Sequence, residues 1–83
     1  MVARINRVRE RELMKQFDSV IDAILLLEFG GEVTTEKALE LLSDYKDLLV
    51  KQLIEIDPTQ TEASVRRILR SIVAMKRMDY ERR

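Results

Sequence analysis

The stretch LLLEFGGEVTTEKALELL, Leu25 to Leu42, contains the chain's only two glycines, side by side at Gly30 and Gly31. Two readings compete for it. A phosphate-gripping loop needs GxxxxGK[ST] after a strand, so that backbone amides converge on the anion and a lysine reaches it. No strand pattern precedes these glycines, no GK[ST] follows, and Glu28 and Glu32 flank them with the wrong charge. The other reading is a helix stop, because glycine lacks a Cβ and can take the left-handed conformation that ties off a helix's last carbonyls. Thr34 then serves as the next N-cap, and Glu36 complements the positive end of that helix's dipole. Val33 and Ala38 stand at the two positions of a hydrophobic staple. The stretch therefore reads as helix, turn, helix.

Upstream, Leu13, Phe17, Val20, Ile24 and Leu27 step by fours and threes, the a/d spacing of a bundle seam, with Ile21 and Glu28 flanking it. Ile5 and Val8 fall off that seam, so residues 1–9 read as a frayed extension or a basic arm that orders on a partner. Downstream, Thr35 to Ile56 carries Leu39, Leu41, Leu42, Tyr45, Leu48, Leu49, Leu53 and Ile56 over nearly half the helix circumference. A face that broad suits a middle helix with two neighbours, or a second copy of the chain. Asp57-Pro58-Thr59-Gln60 then reads as a helix start, with an Asp N-cap, Pro at the first helical position and Gln completing a capping-box variant. The third helix is expected to run to about Tyr80 with Val65, Ile68, Leu69, Ile72, Val73 and Met75 inward, leaving residues 81–83 as a frayed tail.

Three segments of about 20 residues, each about 30 Å long and joined by short links, imply antiparallel neighbours. The expected fold is all-α, a three-helix up-down-up bundle or an interlocked helical dimer, with residues 10–80 as one domain. Composition agrees: of 83 residues 46% are hydrophobic and 36% charged, with one Pro and four aromatics, a helical palette rather than a strand-rich one. A chain this short buries only about 60% of its unfolded surface, and with no Cys or His neither a disulfide nor a His-based metal site stabilises it. A partner or self-association is the remaining support. No run approaches the roughly 18 apolar residues of a membrane span, and no apolar stretch of a secretory signal follows the basic N-terminus, so the expected location is cytoplasmic.

Candidate chemistry is sparse. Glu36, Glu40, Asp44 and Asp47 line one exposed side of the second helix, but a helical di-metal centre wants Glu-x-x-His pairs, and there is no His. The serines lack a His or Cys companion for nucleophilic catalysis. The chain is read as non-catalytic, with no cofactor, metal or small-molecule substrate. Its charge is segregated although the net is zero: residues 1–16 hold five basic and two acidic side chains, residues 17–60 three and ten, residues 61–83 seven and three.

Two functional expectations follow. The first is a helical protein–protein interaction subunit, adaptor or inhibitor, homo-oligomeric or part of a larger assembly, whose surplus apolar residues Leu25, Leu26, Leu39, Met14 and Met78 form the interface. The second is a small dimeric DNA-binding regulator. Arg66, Arg67, Arg70 and Arg77 on the third helix and Arg4, Arg7, Arg11 and Lys15 on the first would meet phosphates. The segment KQLIEIDPTQTEASVRRILRSI, within residues 47–72, resembles a helix-turn-helix in outline. It departs from that motif in lacking the frequent turn glycine and in its long first helix.

Overall fold

A computed structural model describes residues 6–83 as three helices: α1 Arg7–Phe29, α2 Thr35–Ile56 and α3 Glu62–Glu81. Every helix packs on the other two within one chain, so the bundle closes on itself without interlocking. The ion pairs give the topology. Near one end Asp47 of α2 meets Arg66 of α3, and near the other Glu28 of α1 meets Arg77 of α3. Thus α1 and α3 run parallel and α2 runs antiparallel between them, up-down-up.

The glycine pair forms the expected stop. Gly31 adopts φ +81°, the left-handed region, and open space surrounds its missing Cβ. Its N–H donates to the Glu28 carbonyl at 3.1 Å while that of Glu32 donates to Leu27 at 2.9 Å, which is the paired closure of a Schellman turn. Thr34 then accepts from the Lys37 amide at 3.0 Å as the N-cap of α2. Below it Ala38 is fully buried and Val33 packs on the core, completing the staple.

The other two starts differ from expectation. Asn6 caps α1 by accepting from Arg9, so residues 7–9 are helical rather than an arm; residues 1–5 lie outside the described residues. At α3 the Asp57 carboxylate does not cap a helix beginning at Pro58. It accepts from the Thr59 amide, the Thr59 hydroxyl and the Gln60 side-chain amide, and the Gln60 amide donates to the Asp57 carbonyl at 3.1 Å. Residues 57–60 therefore close into a local turn of the kind Asp favours. Thr61, a second competent cap, takes over by accepting from Ser64 at 3.1 Å.

The buried stripes also shift. On α1 the inward line is Leu13, Phe17, Ile21, Ile24 and Glu28, with Leu25 beside it, whereas Leu27 is exposed and Val20 only half-buried. A strict 3.5-residue seam slips about 20° per heptad on a straight helix. Over two heptads that carries the seam off the core, and steps of 4, 4, 3 and 4 hold direction instead. On α2 the line is Ala38, Leu42, Tyr45, Leu49, Leu53 and Ile56, while Leu39 and Leu48 face out and Val50 is buried. On α3 Val65 and Leu69 are buried, but Ile68 and Met75 are 50% and 68% exposed. Phe17 and Tyr45 stack at 5.8 Å, nearly parallel, joining α1 to α2 at mid-height.

Substituting Gly31→Ala places a Cβ at a left-handed φ, which costs about 1 kcal/mol. Urea denaturation followed by circular dichroism should show that loss at an unchanged slope, since the surface exposed on unfolding does not change.

Candidate interaction surfaces and the interhelical ion pairs

At the glycine end, α1, α2 and α3 meet around one carboxylate. Glu28 has 6% of its side chain exposed and takes two parallel bonds of 2.8 Å from the Arg77 guanidinium. The same guanidinium lies 5.8 Å from the Phe29 ring centroid, and Phe29 stacks on Tyr80 at 5.6 Å. Tyr80 in turn donates to the Asp22 carbonyl at 3.1 Å, and Arg83 lies 4.2 Å over its ring. Arg77 holds the Glu28 carboxyl below the usual carboxylate range against the opposing pull of burial, with the Thr35 hydroxyl assisting from the first turn of α2. Arg77 is correspondingly raised.

Lys76, the residue before Arg77 on α3, donates to Asp18 and Asp22, both at 2.9 Å. Burial pulls the ammonium's pKa down, but the two carboxylates outweigh it and the net shift is upward. At the opposite end Arg66 bridges Asp47 at 2.7 Å and Glu62 at 3.0 Å, and bonds to Asp47 and then Glu62 raise it. Asp57, almost fully buried, is lowered chiefly by the Thr59 hydroxyl. The cluster stores charge between helices; among the described residues no group of acids is placed to hold a metal. No helix of the described residues is long and apolar enough to cross a membrane.

The expected basic residues part company here. Arg66 and Arg77 are spent on intramolecular pairs, and Arg7 pairs with Glu10 at 3.1 Å. Arg11, Lys15, Arg67 and Arg70 are exposed and make no ion pair among the described residues; Arg4 lies outside them. Within residues 47–72 Asp47 of α2 meets Arg66 of α3 at 2.7 Å across the 57–60 turn. Their helices lie side by side, Glu62 and Arg66 sharing a groove with Asp47, Val50 and Ile54.

The expected interface residues also divide. Leu25 is fully buried and belongs to the core, because it sits one residue beyond Ile24 on the inward side of α1. Leu26, 100° further round, is 63% exposed, as are Leu39 at 50% and Met78 at 50%; Met14 is half-buried and packs on the core. Sequence reasoning missed Lys76 and Tyr80, which continue the inward stripe of Val65, Leu69 and Ile72. Their polar tips disguised apolar stems; position on the helical wheel was the available signal. A band along the α1–α2 seam was missed as well. Val20 and Leu27 on α1 and Leu41, Tyr45 and Leu48 on α2 are half-buried or exposed, and the Phe17–Tyr45 stack puts those edges together.

No known protein family, curated protein or solved structure matches the chain.

Because Glu28 and Asp57 are lowered in the folded state, their stabilisation is fully present above the unfolded carboxylate values near 4 and is lost as pH falls through the folded ones. Arg77→Met strands the covered Glu28 carboxylate and should cost about 2 kcal/mol at pH 7. Denaturant titrations between pH 2 and pH 7 should show the Arg77→Met deficit shrinking as pH falls, because the carboxylate left unpaired in the variant protonates before the paired one does.

Proposed function

We propose that the protein is a non-catalytic helical interaction subunit, an adaptor or small component of a larger cytoplasmic assembly. The observation that carries this reading is the apolar surface outside the core. Leu26, Leu39 and Leu48 are each half-exposed or more, and Leu48 stands with exposed Leu27 and half-buried Val20, Leu41 and Tyr45 along the α1–α2 seam. Single exposed leucines are ordinary, whereas a band spanning two helices is the mark of a covered face. The grooves on the surface are open and shallow, the most apolar about 170 Å³ and lined by Met14, Leu53, Val65 and Ile68 among others. The other grooves, of about 470 to 560 Å³, are wider open to solvent, unlike the enclosed apolar cleft of a usual substrate pocket.

The charge distribution supports a protein partner over a nucleic acid. Two of the four arginines that would form one stripe on α3, Arg66 and Arg77, are turned to carboxylates of the same chain, so the row a phosphate backbone would select is broken. Among the expected basic residues, Arg67 and Arg70 on α3 with Arg11 and Lys15 on α1 stay free on the described surface. Rim charges of this kind set orientation and association rate more than affinity.

Affinity capture from extract of the source cells, with cross-linking, should retain a stoichiometric protein that Leu48→Asp loses by about tenfold or more. Arg67→Glu with Arg70→Glu should leave that capture intact. Titration of labelled duplex DNA followed by anisotropy should stay flat from low to physiological salt. Duplex binding that weakens steeply with salt and vanishes in the double arginine variant would sink the proposal.

A further inference from the structure

The outer faces of α2 and α3 are built differently. That of α2 carries Glu36, Glu40, Asp44 and Asp47, all exposed, as a solvated face should. That of α3 carries Ile68, Ser71, Met75 and Met78, spaced by 3, 4 and 3, roughly 120° round the helix from the buried stripe. Ile68 is 50% exposed, Met75 68% and Met78 50%. This is a second a/d seam, and no helix among the described residues covers it.

The charges bordering this seam separate it from a chance apolar patch. Those on the inward side of α3, Arg66, Lys76 and Arg77, are all paired within the chain. Those beside the outer seam, Arg67, Asp79 and Glu81, are exposed and make no ion pair among the described residues. With Ile68 and Met75 at a, and Ser71 and Met78 at d, Arg67 and Glu81 both fall at g and Ile72 and Asp79 at e. A parallel pairing of two such helices sets Arg67 against Ile72 and Ala74 against Asp79, which matches no charges. In the antiparallel pairing that seats Ile68 on Met78 and Ser71 on Met75, g meets g. Arg67 then faces Glu81, twice by symmetry.

We propose that α3 docks on α3 of a second copy of this chain, antiparallel, with Ile68 against the partner's Met78, Ser71 against the partner's Met75 and Arg67 against the partner's Glu81. The proposal rests on the reading of the protein as an interaction subunit, and it gives that subunit a self-association face distinct from the α1–α2 band. A single helical face is smaller than the roughly 800 Å² per partner of a standard interface, so the dimer is weak, dissociating at about 10–100 µM.

Sedimentation velocity from about 5 µM to 1 mM tests it. The wild-type chain should pass reversibly from monomer to dimer, and Met75→Glu should stay monomeric and helical, since that side chain is 68% exposed. Arg67→Glu and Glu81→Arg should each weaken the dimer about tenfold, while the doubly swapped chain recovers to within about threefold. In the cysteine-free chain, Ser71→Cys should form a disulfide when mixed with Met75→Cys and not with itself. Self-cross-linking of Ser71→Cys, a dimer indifferent to Met75→Glu, or a monomer at every concentration would each overturn the proposal. A monomer that still captures its partner through Leu48 leaves the interaction reading standing, whereas an intact dimer with no partner to capture fells that reading and keeps the α3 interface.

Discussion

A carboxylate one residue from the end of α1 governs how the bundle is closed. Glu28 lies on the inward stripe, 6% exposed, where an unpaired charge would be costly. The Arg77 guanidinium, presented by α3, satisfies both of its oxygens. The bidentate fork fixes α3 along its axis and about it, since a one-residue slip would turn Arg77 through 100°. With Arg77 fixed, Lys76 falls between Asp18 and Asp22, and Tyr80 reaches the Asp22 carbonyl. The glycine turn follows Glu28 directly and brings Thr35 of α2 to the same carboxylate. Three helices thus share one polar junction, and the apolar core between them has its register set by it.

The charge blocks of the sequence take their meaning from these pairings. The acidic centre of the chain supplies Asp18, Asp22, Glu28 and Asp47, and the basic last quarter supplies Arg66, Lys76 and Arg77. Complementarity that looked like a surface for others is largely internal. Exposed pairs of this sort are worth a fraction of a kcal/mol each, so Arg66 with its two exposed carboxylates guides more than it stabilises. Glu28 with Arg77 is covered and differs in kind.

Helix identity was legible because it rests on local chemistry. Gly31 must bear a positive φ and Thr34 must cap, whatever the rest of the chain does, and both were readable from neighbouring residues. The facing of each helix is a tertiary property, and there reading by heptad failed. Leu27 was expected inside and Leu25 at an interface, yet the straight α1 buries Leu25 and exposes Leu27. The start of α3 was misplaced for a related reason. Asp57 and Thr61 are both competent caps four residues apart, and only the packing of the 57–60 turn, with Asp57 buried beneath it, decides between them. The ion pairs span up to 58 residues with the tyrosine bond, beyond any local pattern. Lys76 and Tyr80 could have been found on the wheel, but their pairing with Asp18 and Asp22 could not.

Helix α3 shows how much a 20-residue element can carry when its two stripes follow different repeats. Val65, Leu69, Ile72, Lys76 and Tyr80 step by 4, 3, 4 and 4, which holds direction on a straight helix and keeps the stripe on α1 and α2. Ile68, Ser71, Met75 and Met78 step by 3, 4 and 3, the repeat of helices that wind about each other. A stripe of the second kind gains nothing from its own straight neighbours, and over two heptads it drifts away from them. The same arithmetic that misled the reading of α1 therefore separates, within α3, the side chains that build the bundle from those it leaves exposed.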